Sequence, residues 1–364
     1  MPNTTATIPT VLLNWPVAQA NIRRMVEKAH RNGVRLRPHF KTPQCHHIGR
    51  YFRELGVRTI TVSSLSMATY FAEDGWDDIT VAFPVNVREV TAINDLAGRI
   101  RLNLLVVNAE SLALLKNQLQ YPVGIFIKID VGTHRTGLLP DDEAGIGACL
   151  REIESSQHLR FKGFLAHAGH SYKARSKEEI LKVHVETTAL LRQLKKQYRG
   201  RYPTLQLSVG DTPTCSVAGG WEGFDEIRPG NFTFYDLIQV QIGSCSMNDI
   251  AVALACPIVA KHPERREVIV YGGGIHLSKD RMNWGGTEIF GLPVLLRNDG
   301  WEPPEAGCYV RSVSQEHGVI RCTEAFFEKM EIGGLAGVLP VHSCMMVDIA
   351  NEYRLTSGEV WRKL

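Results

Sequence analysis

The sequence predicts a closed (β/α)8 barrel of the TIM type, an α/β fold, followed by a C-terminal, mostly antiparallel β domain. Three observations carry that prediction. Between residues 34 and 229, eight short β-branched or apolar runs alternate with amphipathic stretches of helical period. Each helical stretch returns the chain so that the next strand runs parallel to the last, and eight such units favour a closed barrel over an open doubly wound sheet. Past residue 236 the pattern changes to short alternating strands punctuated by Gly and Pro turns. At 364 residues the chain is also too long for one minimal core. The barrel is expected over 15–235 and the β domain over 236–364, which residues 1–14 are expected to join.

Taken in order, a helical stretch at 15–31 precedes the barrel. Its strands are expected at 34–41, 59–63, 79–83, 101–107, 123–130, 161–167, 205–209 and 225–229. Helices fall between them at 43–55, 66–73, 87–97, 109–119, 141–155 and 177–198. Pro43 is read as opening the first of these, because a first-turn proline lacks only an N–H that the helix would leave unpaired. In the β domain, strands are expected at 237–242, 252–260, 267–271, 309–313, 319–322, 335–339, 344–349 and 353–355.

Composition narrows the function. There are 41 basic and 38 acidic residues, a net charge of +3, and no basic block longer than a short cluster such as Lys195 and Lys196, so nucleic acid is not an expected partner. The eight cysteines are scattered without a C-x-x-C pair, and neither a signal-peptide pattern nor an 18-residue apolar run is present. The expectation is a cytoplasmic protein with no membrane partner that acts on a small molecule.

Barrel active sites lie at the carboxyl ends of the strands. There the sequence places Lys41, Arg135 in DVGTHRTG, His167, His170 and Tyr172 in HAGHSY, the GDTPT segment at 210–214 and RPGNFTFYD at 228–236. Period-two alternation sets Arg35, Arg37, His39 and Lys41 on one side of the first strand. A charged row facing the lumen is expensive unless its last member reaches the mouth, as Lys41 would. Gly210, Thr212, Thr214, Gly230 and Asn231 can offer uncrowded donors to a phosphate after the last two strands. A lysine amine and a phosphate cradle across one mouth are the two anchors that pyridoxal 5'-phosphate requires. Taken singly, such loops are ordinary turns and such a lysine a solvated charge; their coincidence at one face argues for function. In the tail, His342 and Cys344 are two apart, so on a strand they would share a face and could hold one ion. Thiolate with imidazole favours zinc over magnesium or calcium, although this spacing alone is more often packing.

In chain order, RPHFKTPQ, DVGTHRTG, HAGHSY, GDTPTCS, EIRPGNFTFYD and PVHSC resemble the D-serine dehydratase and D-threonine aldolase-like family. This is the metal-assisted branch of the fold-type III, alanine racemase-like pyridoxal phosphate enzymes, and the resemblance spans nearly the whole chain. It implies that Lys41 carries the cofactor, that the loops at 210–214 and 230–231 bind its phosphate, and that Arg135 and Tyr172 lie near its ring. It also implies that His342 and Cys344 bind zinc, with manganese as the alternative because the aldolases resemble His-x-Asp and use harder metals. A homodimer is implied as well. Two departures stand out: Asp211 introduces a carboxylate into the phosphate loop, where it must point away, pair with a base or signal a modified site. YGGGIHLSKD, residues 271–280, also differs from the expected stretch and puts His276 forward as a pocket or structural residue.

The implied reaction is lyase chemistry on a β-hydroxy D-amino acid, with D-serine giving pyruvate and ammonia. Lys41 would remove the α-proton while the metal on His342 and Cys344 polarises the leaving hydroxyl. Retro-aldol cleavage to glycine and an aldehyde is the first alternative, with His167 and His170 as candidate bases. Racemization ranks third, because no segment announces a second acid–base group. A cofactor carrier without turnover ranks last, because such proteins resemble a lone barrel.

Overall fold

A computed structural model describes residues 6–364. The chain opens on strand β1 (Thr10–Leu13) and helix α1 (Trp15–Arg31). It divides into two compact units: one of Arg24–Lys41 with Ile48–Gly230, the other of the residues before these, Thr42–His47 and Asn231–Leu364. Among the described residues no helix is long and apolar enough to cross a membrane.

The first unit is built on eight parallel strands: β2 (Arg35–Leu36), β3 (Ile60–Val62), β4 (Asp78–Pro84), β5 (Arg101–Val106), β6 (Val123–Ile129), β7 (Leu159–Ala166), β8 (Gln206–Val209) and β9 (Glu226–Ile227). From β3 to β9 each strand pairs with the next in sequence, and β9 pairs with β2. The last seam closes through a parallel bridge between His39 and Thr61, where Phe40 N–H donates to Thr61 O at 2.8 Å and Thr61 N–H to Pro38 O at 2.9 Å. The expected (β/α)8 barrel is what forms. Regular pairing in the first strand is shorter than the expected 34–41, since Pro38 has no N–H to give. Beyond Leu36, the backbone N–H groups of Arg37 and His39 still donate to Ile227 O and Pro229 O, both at 2.9 Å.

Alternation decides which residues line the lumen. Leu105, Phe126 and Leu165 form its apolar layer. Next to it lies a charged layer that the sequence reading had not balanced. Arg37, 2% exposed, donates from Nε to Glu226 Oε2 and from Nη1 to Asp78 Oδ1, each at 2.8 Å. Glu226 also accepts from Ser208 Oγ at 2.7 Å, and Asn103 Nδ2 reaches Asp78 Oδ1 at 3.2 Å. Gly124 is required beside this layer, because a Cβ there would meet Asn103 Oδ1 at 2.1 Å. The inward row of the first strand is therefore neutralised inside the barrel, and its position does not depend on Lys41 reaching water.

In the second unit a nine-stranded sheet is centred on β10 (Val252–His262). β10 runs antiparallel to β1, to β11 (Glu267–Tyr271) and to the strand Leu335–Pro340, and β1 runs parallel to Glu352–Leu355. Leu237, Ile250, Leu292, Val294 and Leu339 are among the buried residues of its main core.

Three expectations are corrected. Residues 237–242 are not a strand: Leu237–Gln241 is a short helix whose N-cap Asp236 accepts from Gln239 N–H at 3.0 Å. Residues 344–349 are not a strand either but part of the helix Ser343–Ile349, so His342 and Cys344 do not share a strand face. Apolar runs this short fit both periods, and length alone could not arbitrate. Pro43 does not open the following helix, which begins at His46 after a turn in which Gln44 has φ +42°.

Replacing Glu226 with Ala leaves Arg37 buried with one carboxylate fewer. The expected loss is about 3–5 kcal/mol of unfolding free energy, measurable by chemical denaturation. A loss below 1 kcal/mol would show that the barrel tolerates the unpaired charge.

Candidate active site

At the carboxyl ends of the barrel strands, cationic side chains gather around two imidazoles. Lys41 follows the first strand, and its backbone N–H meets His39 Nδ1 at 3.4 Å. His167 follows β7, and its Nδ1 lies 2.6 Å from Gly210 O. A carbonyl can only accept, so Nδ1 carries the proton and Nε2 keeps its lone pair. Burial and the charges of Lys41, Arg228 and Arg135 outweigh that hydrogen bond and push the His167 imidazolium down to about 3. His39 is driven well below the usual imidazole range by burial, then by Lys41, Arg228 and His167. Both rings are neutral at physiological pH.

Arg228, 4% exposed, is fixed by donating from Nε to Ser208 Oγ at 2.6 Å and from Nη2 to Ala166 O at 2.5 Å. Lys128, one residue from the end of β6, is 4% exposed, and burial followed by Arg135 and Arg228 lowers its ammonium to about 8. The loop leading to Arg135 is shaped by Asp130, whose Oδ1 accepts from the N–H groups of Gly132, Thr133 and His134 at 3.0, 3.0 and 3.1 Å. The two candidate bases part company. His167 belongs to the Lys41 cluster, whereas His170 has Glu186, Asp130, His134 and Lys173 as its charged neighbours.

The cradle residues divide in the same way. Gly210 lies so close to β9 that a Cβ would meet Arg228 N at 2.5 Å. Asp211 caps the helix Thr212–Val217, accepting from Thr214 N–H at 2.8 Å, Thr214 Oγ1 at 2.7 Å and Ser171 Oγ at 2.8 Å. Burial still raises its carboxyl to about 6. Its charge is thus spent within the loop, which answers the question it posed, and Thr214 is committed to it. Thr212 N–H donates to Tyr172 Oη at 3.3 Å, while the buried Thr212 Oγ1 has no protein partner. Among the described residues, an orphaned hydroxyl beside Tyr172 and four cations at one barrel end suit an anionic, phosphate-bearing group. The residues fit pyridoxal phosphate.

In the second unit, His342 holds the N-cap position and Cys344 the second residue of the helix Ser343–Ile349. Cys344 Sγ lies 3.2 Å from Thr42 Oγ1 and 3.6 Å from Asn231 Nδ2. Asn231 Nδ2 also reaches Asp236 Oδ2 at 2.6 Å and Ser343 Oγ at 3.0 Å, and Asp236 Oδ2 accepts from Ser343 N–H at 3.0 Å. The amide of Asn231 is therefore turned to the thiol rather than held out for a phosphate, and its Oδ1 is buried without a hydrogen-bond partner. His342 Nδ1 faces Asp280 Oδ2 at 3.5 Å. Burial opposes a charged ring there, but Asp280, Cys344 and Asp236 together raise His342 to about 11. No group of three or more His, Cys, Asp or Glu side chains that could hold an ion occurs among the described residues. Two soft donors amid negative charge fit a divalent ion that keeps positions open for water or substrate. His276 packs edge-on against Tyr271, lies 4.0 Å from Glu316 and helps line a cavity of about 450 Å³ with Ile8, Leu254 and Met346.

Comparison with known proteins fits this arrangement. The family model "Alanine racemase, N-terminal domain" matches residues 17–237, and "Putative serine dehydratase domain" matches 251–356. D-serine dehydratase of Dictyostelium discoideum is 31% identical, over 96% of this chain and 93% of its own. The chain belongs to this alanine racemase-like, D-serine dehydratase family. Within the family, D-threo-3-hydroxyaspartate dehydratase of Delftia sp. HT23 superposes with a TM-score of 0.91 at 26% identity, over 99% of this chain and 98% of that one. A cysteine-to-alanine variant of that enzyme, in a metal-free form, gives a TM-score of 0.90 at 27% identity over the same shares. The named relatives are dehydratases and aldolases, both lyases.

Sequence reasoning placed His39 on the inward row and Arg228 and Asp236 in a strand-end segment without giving them roles, and it singled out neither Lys128, Asp130 nor Asp280. Alternation offered a signal for some: Glu226 and Arg228 share one strand face, as do Phe126 and Lys128. Lys128 yields a test with a definite sign. Its ammonium loses protons more readily in the folded chain, so its cost to stability is full below about pH 8 and fades as pH rises towards 10.5. Lys128→Met is therefore expected to raise the unfolding temperature at pH 7, with the gain shrinking at pH 10; a gain independent of pH would contradict this.

Proposed function

We propose that the chain is a pyridoxal phosphate-dependent, metal-assisted dehydratase of β-hydroxy D-amino acids, converting D-serine to pyruvate and ammonia. The observation that carries this reading is the donor set at Cys344: a thiol beside an imidazole, met by the hydroxyl of Thr42, the residue that follows Lys41 in the chain. Bound pyridoxal phosphate would supply an electron sink for the carbon that loses its proton. Lys41 would hold the cofactor and then accept the α-proton at Nζ. Thr212 Oγ1, Gly210 and Tyr172 would hold the phosphate, and Arg135, Arg228 and Lys128 would attract the anionic groups of cofactor and substrate. His167, fixed through Nδ1 by Gly210 O, would present a neutral Nε2 as an acceptor and not as a cationic acid.

His342 and Cys344 would hold zinc, with manganese as the second choice, and the ion would supply the Lewis acid that hydroxide needs in order to leave. The harder carboxylate that the aldolases resemble is absent from the second ligand position, which supports C–O over C–C cleavage. As a homodimer in a reducing compartment the enzyme would keep its eight cysteines as the free thiols they are.

Pyruvate should form from D-serine, stop on addition of a chelator and return with zinc. Lys41→Ala should lower turnover by about 10²–10⁴-fold or more and remove the cofactor's visible absorbance band. Glycine from D-threonine in place of pyruvate from D-serine would move the assignment to retro-aldol cleavage, and no product from any β-hydroxy D-amino acid would end the lyase reading.

A further inference from the structure

The geometry points to Asp280 as a positioning residue for the metal site: its carboxylate orients the His342 imidazole through Nδ1 so that Nε2 is left for the ion. This inference rests on the metal reading proposed above. A histidine that ligates a metal through one nitrogen commonly has the other held by a carboxylate or carbonyl, which fixes the tautomer and makes the ligating nitrogen more basic. Asp280 Oδ2 is 3.5 Å from His342 Nδ1, close enough to select the tautomer with hydrogen on Nδ1.

Asp280 is itself held. Ser278 Oγ donates to Asp280 Oδ2 at 3.1 Å and accepts from Asp280 N–H at 3.1 Å. Ser278, 7% exposed, ends the short helix Gly274–Leu277 with φ +69° and ψ 178°. That backbone region is nearly confined to glycine, and a side chain persists there only when its surroundings over-determine it. Holding a strained serine to brace one carboxylate suits a carboxylate whose direction matters. Asp236 cannot substitute, because its oxygens already take Asn231, Ser343 and the cap of Leu237–Gln241.

The test measures zinc affinity as well as activity. The metal-stripped, cofactor-loaded enzyme is titrated with zinc against a chromophoric chelator, alongside Asp280→Ala, Asp280→Asn, Ser278→Ala and His342→Ala. Asp280→Ala is expected to weaken zinc about 10–100-fold while keeping the cofactor's absorbance spectrum. Asp280→Asn, which retains an acceptor for Nδ1–H, should recover part of the loss, and Ser278→Ala should show a smaller loss. Zinc binding by Asp280→Ala within about threefold of the unaltered enzyme would overturn the proposal. Should Asp280→Ala fail to fold, equal affinities for Asp280→Asn, Ser278→Ala and the unaltered enzyme would do so. The metal reading fails separately if the unaltered enzyme and His342→Ala take up zinc alike.

Discussion

The barrel depends on one buried ion pair. Arg37 directly follows β2, the first barrel strand, and Glu226 sits on β9, the last, so their 2.8 Å contact spans the seam at which the sheet meets its own beginning. Two charges taken from water are stabilising only if every remaining donor and acceptor is met. Here Arg37 also reaches Asp78 and the carbonyls of Ile60 and Asp78, while Glu226 takes the hydroxyl of Ser208. Ser208 in turn fixes Arg228. The same network that closes the barrel thus anchors a guanidinium among the strand-end residues and sets the chain direction from which Lys41 follows.

Two other buried aspartates repeat one device. Asp211 and Asp236 each cap a short helix through a backbone N–H three residues on, and each accepts its other bonds from side chains of the surrounding loops. For Asp211 these are Thr214 and Ser171; for Asp236 they are Asn231 and Ser343. Capping alone stabilises a helix by about 1 kcal/mol, which does not account for burying a carboxylate. The added side-chain bonds offset that burial and fix the rotamers of the loops that carry them.

The alternation that announces a parallel barrel was plain in the sequence, since its outward faces are long β-branched runs such as Ile125, Ile127 and Ile129, all fully buried. The charged lumen was half legible. Arg37 could be placed inward by parity, but its partners lie 41 and 189 residues away, and no local pattern links them. Short helices at 237–241 and 343–349 were missed because five to seven residues with apolar character fit either period. His342 and Cys344 were singled out on a strand argument that does not hold. His342 has extended angles, φ −134° and ψ 107°, while Cys344 is already helical, and the change of backbone between them is what brings the pair together.

The surroundings of that pair are divided by hydrogen-bond character. Cys344 Sγ lies against the Thr42 hydroxyl and accepts from the Asn231 amide. His342 faces acceptors, Asp280 and Asp236, which favour positive charge on or beside its ring. In the protein alone a proton on His342 satisfies that demand. A divalent ion held by both would replace the proton as the local positive charge without any new acidic residue. The buried Asn231 Oδ1 is left without a hydrogen-bond partner beside this pair.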